Sequence, residues 1–283
     1  MIRWLSLLLL SSLVPSGASA LFLYGITATD VVVIDTTDPT SVQTIGPHGL
    51  TRSPAYLTWD PVSQRLFGLA SEDVSAGGLL ILDYDLVEYD PATGAGSLVR
   101  NLGRTDVVGA FEVLEYVDSE SSIVVSLGSP SNFNTTEFNT LDPDTGALVP
   151  LVDVGFDNDF GVYDDGRDLL YVWDPNSSAR TQIIDLVGGG VTDLGASGPA
   201  DRDGAFSEAD GGIFVYKLAS DTLVNIETTD GVAPINRVTI GVVDGPEIVG
   251  LAFTPVPEPA AAALLAAGAA LLAPAALGRR RRS

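Results

Sequence analysis

The stretch VEYDPATG, residues 87–94, joins a β-branched and aromatic run to a short polar turn. A second apolar run follows the turn and ends at Gly103. In such a turn the Asp carboxylate accepts hydrogen bonds from its own backbone, Pro restricts φ, and Gly accommodates positive φ. The segment therefore predicts two antiparallel strands joined by a tight turn.

The same pattern recurs along the chain, at 33–46, 140–155, 183–195 and 225–241. Each copy contains an acidic anchor at the end of its first apolar run, namely Asp35, Asp90, Asp142, Asp185 and Glu227. Successive anchors lie 55, 52, 43 and 42 residues apart. Repeats of this length indicate an architecture built from similar units.

A second hairpin pattern precedes four of these copies, at 56–69, 113–126, 161–173 and 205–216. Two hairpins give four strands per repeat, and we find no convincing helical periodicity between them. Four-stranded units of this period are typical of β-propeller blades. The sequence thus predicts an all-β fold.

The two ends of the repeat region complement each other. Residues 21–26 match the second strand of a repeat, whereas residues 248–255 match the first strand. A blade shared between the ends closes a propeller ring and removes an exposed sheet edge. We therefore predict five blades; the alternatives are a β-sandwich, or a sixth blade hidden in 71–85 or 129–139, which we interpret as long loops or inserted hairpins.

Residues 1–20 have the composition of a secretory signal peptide, with Arg3, an apolar run to Leu13 and small residues at Ala18 and Ala20. We predict that signal peptidase cleaves after Ala20. The alternative is an uncleaved membrane anchor, for which the apolar run of about ten residues is short.

The other end contains Pro257-Glu258-Pro259, an Ala/Leu/Gly run over residues 260–277, and the arginines Arg279, Arg280, Arg281 and Arg282. As a helix, the apolar run would extend about 27 Å, enough to cross the hydrocarbon core of a bilayer. The arginine cluster would then lie on the cytoplasmic side and stop transfer. The sequence therefore predicts a single transmembrane helix.

This order of elements resembles the PEP-CTERM sorting signal of Gram-negative bacteria, over residues 256–283 only. The resemblance implies recognition and cleavage by an exosortase-type membrane enzyme, transient anchoring in the inner membrane, and delivery to the cell surface or the extracellular biofilm matrix, where exopolysaccharide is a partner. Pro274 departs from an ideal span. The chain then divides into a signal peptide (1–20), a β-propeller-like domain (21–255) and a sorting signal (256–283).

The charge of the chain excludes several functions. The chain has 14 basic and 37 acidic residues and a formal charge of −23. Without the end segments, residues 21–255 hold 9 basic and 36 acidic residues, a net charge of −27. Nucleic-acid binding needs a basic surface and is not expected. The absence of cysteine from the sequence excludes disulfides, zinc-thiolate sites and thiol nucleophiles.

Residues with catalytic or binding chemistry are few. His48 is the only histidine, and we interpret it as a surface-loop residue because no Gly-x-Ser-x-Gly motif or second histidine accompanies it. The aromatic residues Trp59, Tyr163, Trp173 and Phe206 lie on predicted strands and are expected to pack between blades rather than to stack on sugars. We assign no catalytic residue.

Two acidic loops contain candidate ligands for calcium. Asp157 and Asp159 precede one predicted blade, and Asp201 and Asp203 precede the next, so both pairs are expected on one face of the ring. Carboxylate oxygens suit calcium, but each pair supplies only a fragment of an EF-hand loop. The alternative is that they are ordinary turn residues. No other cofactor is indicated.

These features favour a non-enzymatic binding or structural module of the cell envelope or exopolysaccharide matrix. The alternative function is an extracellular hydrolase or lyase that acts on polysaccharide, since propellers also host carboxylate-based glycoside chemistry.

Overall fold

Five sheets of four antiparallel strands form the folded part of the chain. The computed structural model describes residues 22–75, 81–106, 111–117, 122–128, 136–154, 160–164, 167–174, 180–186, 190–196, 204–207, 212–217, 220–229 and 232–254. These residues belong to one compact unit, Phe22–Thr254.

The strands follow each other along the chain, four to a sheet, and each sheet is called a blade below. Blade 1 contains β4 (Ser53–Asp60), β5 (Arg65–Asp73), β6 (Ile81–Tyr89) and β7 (Gly96–Asp106). Blade 2 contains β8 (Phe111–Val117), β9 (Ser122–Gly128), β10 (Thr136–Leu141) and β11 (Leu148–Val154). Blade 3 contains β12 (Phe160–Asp164), β13 (Leu169–Asp174), β14 (Arg180–Asp185) and β15 (Val191–Ala196). Blade 4 contains β16 (Gly204–Ser207), β17 (Gly212–Lys217), β18 (Thr222–Thr229) and β19 (Val232–Val242).

The fifth blade, the split blade, combines both ends of the unit. It contains β20 (Gly250–Thr254), β1 (Phe22–Ile26), β2 (Asp30–Asp35) and β3 (Asp38–Pro47), in this order across the sheet. β1 pairs with β20 antiparallel, from Phe22 opposite Thr254 to Ile26 opposite Gly250. The predicted closure between the ends is confirmed.

The first strands of the five blades form a closed inner ring. β4 contacts β8, β8 contacts β12, β12 contacts β16, β16 contacts β20, and β20 contacts β4 again. This cyclic order is that of a five-bladed β-propeller, as predicted. The β-sandwich alternative is wrong, and the described residues contain no sixth blade.

One prediction about the loops needs correction. Much of the segment 71–85 is strand, because Ser71–Asp73 and Leu82–Tyr84 extend the β5–β6 hairpin in continuous register. Likewise, residues 136–139 belong to β10. The second and third strands of blade 1 therefore have nine residues each, and their combined length exceeds that of the corresponding strands in the other blades. The polar and acidic residues in these stretches hid the strand pattern.

The apolar core lies between neighbouring blades. Phe67 and Leu86 of blade 1 pack with Phe111 and Tyr116 of blade 2 in one cluster. Equivalent clusters join blade 2 to blade 3, around Phe138, and blade 3 to blade 4. Blades 2 and 3 thus bury both of their faces against their neighbours, as expected for runs of β-branched and aromatic residues on alternating positions.

Each outer strand contains a β-bulge at an equivalent level. In each blade, the pairing of the third strand with the outer, fourth strand shifts register at the residue three positions before the acidic anchor. The outer strand has one extra residue at this point, and that residue has no ladder partner on the third strand. These unpaired residues are Ile45, Val99, Leu151, Leu194 and Ile240. Because a bulge increases local twist, the repeated bulges turn the outer strands toward the following blade.

The turn between the third and fourth strands of a blade packs on the outer strand of the preceding blade. Gly94, with φ of +77°, lies against Gly46, so that a Cβ on Gly94 would stand 2.4 Å from the Gly46 carbonyl oxygen. The turn residue Gly146 likewise approaches the Arg100 side chain, and Gly241, on the outer strand β19, approaches Pro39 of the split blade. The glycines that close the repeats are therefore explained in part by contact between blades.

The acidic anchors stabilise these turns as predicted. Asp90 Oδ1 accepts a hydrogen bond from Ala92 N at 2.8 Å, and Asp142 Oδ1 accepts one from Asp144 N at 2.8 Å. Backbone and Thr hydroxyl donors lower the pKa of both carboxyls. The conserved geometry of this turn motif across blades follows from its chemistry.

The ring has two faces, which differ in the strand connections that they contain. Because every blade repeats the same antiparallel order, the five inner strands run in the same direction. The turn face is where inner strands end and turn into second strands, as at 61–64. The loop face is where inner strands begin and second strands turn into third strands, as at 27–29. No helix among the described residues is long and apolar enough to cross a membrane.

Candidate functional site

One level of the inner ring contains a single ionisable side chain. The residues at this level, defined by their ladder partners on the second strands, are Thr58, Glu115, Val162, Ala205 and Ala252. Thr58, Val162 and Ala252 are buried. Glu115 therefore places a carboxyl where the other blades have small or apolar residues.

The surroundings of Glu115 change its acidity. Burial raises the pKa of Glu115 well above its ordinary value, and a hydrogen bond from the Thr58 hydroxyl only partly opposes this effect. Thr58 Oγ1 also accepts a hydrogen bond from Tyr116 N at 2.8 Å, which fixes its position. A carboxyl that keeps its proton to higher pH has the property needed in a general acid.

The loop face of blade 1 holds a second polar cluster, centred on Arg52. The Arg52 guanidinium lies 2.8 Å from Asp83 Oδ2 and 3.1 Å from Asp85 Oδ2, and Glu72 is at 3.7 Å. Asn101 Nδ2 donates to Asp85 Oδ1 at 2.9 Å. Burial alone would lower the pKa of Arg52, but the hydrogen bond with Asp83 and the surrounding carboxylates raise it.

This Arg52 cluster has a structural explanation. Arg52 precedes the inner strand β4, whereas Glu72, Asp83 and Asp85 lie on the extended β5–β6 hairpin. Arg52 Nη1 also donates to the Asp83 carbonyl oxygen at 2.9 Å. The guanidinium thus ties the hairpin extension to the start of β4 through directed, charge-assisted bonds.

His48 is not a surface residue, contrary to the sequence prediction. The side chain is 3% exposed. Leu50 N donates to Nδ1 at 3.1 Å, so Nε2 carries the proton and donates to the Ala28 carbonyl oxygen at 3.0 Å. The His48 ring also meets Tyr89 edge-on, at 6.3 Å. His48 therefore connects the split blade to blade 1, and both ring nitrogens are engaged.

Sequence reasoning placed His48 correctly in a connection between blades. It missed the burial because the contacts of His48 come from Ala28 and Tyr89, which are distant along the chain. A histidine whose two nitrogens bind the backbone is held for structure, and neither nitrogen is free to act as a general base in this arrangement.

The predicted calcium ligands lie outside the described residues. Asp157 and Asp159 fall between β11 and β12, and Asp201 and Asp203 fall between β15 and β16. Among the residues that the structure does describe, no group of three or more His, Asp or Glu side chains is placed to hold a metal ion.

The predicted processing signals also fall outside the described ranges. They are Ala18 and Ala20 of the signal peptide, Pro257, Glu258 and Pro259 of the sorting motif, and the cluster Arg279, Arg280, Arg281 and Arg282.

The aromatic residues of the inner strands pack against the preceding blade. Trp59 stacks on Tyr24 of the split blade, with ring centroids 6.2 Å apart. Tyr163 is buried in the cluster between blades 2 and 3. For these two residues the prediction of packing between blades is confirmed; the side chains of Trp173 and Phe206 are not described.

Glu115 and Arg52 are the residues that sequence reasoning overlooked. An alignment of the inner strands contains a signal for Glu115, since it is the only acid at its level. Arg52 is one of only 9 basic residues in 21–255. Its three acidic neighbours are 20 to 33 residues away and could not be assigned to it without the hairpin register.

No family model and no curated protein matches the chain. Among solved structures, a chain of a nidogen/laminin complex is similar, with 8% identity, 82% of this chain and 97% of that chain covered, and a TM-score of 0.50. A putative 6-phosphogluconolactonase from Bacteroides fragilis has 10% identity, coverages of 84% and 99%, and a TM-score of 0.46. TolB from Acinetobacter baumannii has 11% identity, coverages of 82% and 66%, and a TM-score of 0.43.

At such identities the likeness concerns the fold alone. The closed inner ring and the likeness to the chain of the nidogen/laminin complex define the class of the protein. The chain is a five-bladed β-propeller with four-stranded antiparallel blades.

Proposed function

We propose that the chain is an exported protein, sorted to the cell surface, whose propeller acts as a non-enzymatic binding or structural module of the envelope or exopolysaccharide matrix. The observation that carries this proposal is the tripartite order of Pro257-Glu258-Pro259, the apolar run 260–277 and the arginine cluster. This order starts three residues after the last strand of the ring.

Export is supported by the opposite end. The proposed cleavage after Ala20 would leave a single residue before Phe22, where β1 begins. Along the sequence, the proposed signal peptide therefore ends just before the first strand and includes no part of the folded ring. Signal peptidase and an exosortase-type enzyme are the partners that this scheme requires, and the protein would be anchored in the inner membrane until it is processed.

A binding or structural role is supported by how the ring uses its polar residues. His48 is bound to backbone atoms on both sides, and the Arg52 cluster ties two elements together. Glu115, whose pKa is raised by burial, is the only acid at its level of the inner ring. Glycoside hydrolysis needs two cooperating carboxyls, so this set suits a rigid scaffold better than a glycosidase.

The sorting proposal is tested by replacing Pro257, Glu258 and Pro259 with alanine. The apolar run remains, so export should be unchanged, whereas processing of the tail should stop and the protein should accumulate in the membrane fraction. Replacing Pro246 with alanine, in the loop before β20, is a control that should be processed normally. Equal mass and equal release from cells for the triple variant and the parent would contradict the proposal.

The alternative function is a polysaccharide hydrolase or lyase, and Glu115 is the observation that favours it. The two functions are separated by glycan-array binding, with and without calcium, alongside turnover assays on the host exopolysaccharide. Binding without turnover supports the module. Turnover that Glu115→Gln abolishes, with the fold intact by circular dichroism, would establish the enzyme instead.

A further inference from the structure

The chain enters and leaves the ring at one point. Phe22, the first residue of β1, is the direct ladder partner of Thr254, the last residue of β20. In blade 1 the equivalent positions, Asp60 and Arg65, are joined by the turn 61–64. The two chain ends therefore take the place of this turn in the split blade, and both lie on the turn face.

The exit point is also at the centre of the ring, because β20 is an inner strand that contacts β4 and β16. Five residues separate Thr254 from Ala260, where the apolar run begins. Three of the first five residues after Thr254 are proline. Such a segment reaches at most about 20 Å.

We infer that the membrane-tethered protein holds the turn face of its ring toward the bilayer and presents the loop face to the exterior. This inference rests on the proposed membrane tether. To point the loop face at the bilayer, the tether would have to cross roughly 15 Å of blade width and then pass at least about 17 Å along a strand. The five-residue segment is too short for this path.

The acidic residues of the turn face would not attract this face to an anionic membrane, so a covalent tether is needed to hold it near the bilayer. Asp35, Asp90 and Asp142 lie at the turns between third and fourth strands, where their carboxylates accept hydrogen bonds. Acidic residues are repelled by anionic lipid within a Debye length, about 10 Å at 0.1 M salt. The tether, and not attraction to lipid, therefore sets the orientation.

The loop face is then the surface available to a matrix ligand. It includes the extended β5–β6 hairpin, which the Arg52 cluster holds in place.

The test uses the absence of native cysteine. Single cysteines replace Val62, 71% exposed on the turn face, and Ala28, exposed on the loop face. Each full-length variant carries a spin label and is reconstituted in phosphatidylethanolamine/phosphatidylglycerol vesicles that contain a nickel-chelating lipid. The second strand separates the two sites by roughly 20 Å.

The nickel lipid should relax the label at position 62 several-fold more strongly than the label at position 28. A twelve-residue Gly/Ser spacer inserted between Thr254 and Pro255 should abolish this difference, because the ring can then rotate freely. Equal relaxation without the spacer, or stronger relaxation at position 28, would overturn the orientation while leaving the tether intact. Variants that fail to sediment with the vesicles would overturn both the orientation and the proposed membrane tether.

Discussion

Glu115 illustrates how a single side chain can lower the free energy of unfolding by an amount that depends on pH. Its carboxyl sits at a level of the inner ring that otherwise has small or apolar residues, and burial raises its pKa in the folded state. A raised carboxyl pKa means that the folded protein prefers the protonated form. The charged form therefore destabilises the fold as pH rises from the unfolded pKa, about 4.3 for Glu, toward the folded pKa.

Glu115→Gln should consequently stabilise the protein at pH 7 to 8 and have little effect near pH 4. Each unit by which the folded pKa is raised corresponds to about 1.4 kcal/mol at neutral pH. Chemical denaturation of parent and variant between pH 4 and 8 measures the difference. A stabilisation independent of pH would contradict the assignment.

Between elements, Gly94 approaches Gly46 so closely that a Cβ on Gly94 would stand 2.4 Å from the Gly46 carbonyl oxygen. The turn of blade 1 and the outer strand of the split blade meet there, and Gly96 N donates to the His48 carbonyl oxygen at 2.9 Å. This junction combines a positive φ with a lack of space, so no side chain is tolerated without movement of one blade relative to the next.

Gly94→Ala and Gly49→Ala form a matched pair that separates these two effects. Both residues have positive φ, +77° and +69°, but a Cβ on Gly49 would meet nothing within 4 Å. Gly49→Ala should cost about 1–2 kcal/mol of strain, and Gly94→Ala about 3 kcal/mol or more. Urea denaturation measures both. Equal losses of unfolding free energy would mean that the two blades move apart at Gly94 with little energetic cost.

At the scale of the whole molecule, the ring closes without a covalent link between Phe22 and Thr254. A short turn can replace the two ends, since these positions are joined by a turn in blade 1. A circular permutant with a four-residue linker from Thr254 to Phe22, opened between Val62 and Ser63, should fold with nearly the parental melting temperature.

A second permutant, opened between Thr93 and Gly94, serves as the comparison. That turn packs against Gly46, so its opening should lower the melting temperature much more. Circular dichroism on heating distinguishes the two permutants. Comparable melting temperatures for both permutants would show that the packed turn contributes little to the stability of the contact between blade 1 and the split blade.

The charge of −27 on residues 21–255 also acts on the whole molecule. Repulsion among the carboxylates destabilises the compact state, and salt shortens the Debye length from roughly 30 Å at 0.01 M to about 10 Å at 0.1 M. The melting temperature should therefore rise with sodium chloride, by about 2–4 °C for each kcal/mol of repulsion removed.

Calcium provides a second arm of this experiment. If Asp157, Asp159, Asp201 and Asp203 bind calcium in the native state, calcium should raise the melting temperature further at matched ionic strength. Magnesium is the control, because it prefers a stricter geometry with retained waters. An equal effect of both cations would assign these residues to turn chemistry.

The sequence by itself determined the number of blades, the order of their strands and the closure between the two ends. These features depend on alternation and turn residues within about 50 positions, and such signals are local. Even so, the β5–β6 extension escaped detection, because Glu72, Asp73, Asp83 and Asp85 interrupt the apolar pattern. Arg52, which lies outside the hairpin, partly neutralises the charges of Glu72, Asp83 and Asp85.

Only the tertiary structure decided the environments of individual side chains. His48 is buried because Ala28 and Tyr89 enclose it from two different blades, and the pKa of Glu115 is raised because burial in the inner ring desolvates its carboxyl, an effect that the Thr58 hydroxyl only partly opposes. Desolvation and hydrogen bonding depend on neighbours in space, and here those neighbours come from 20 to 57 positions away along the chain. The same holds for Gly94, whose need for a bare Cα arises from a carbonyl oxygen of another blade.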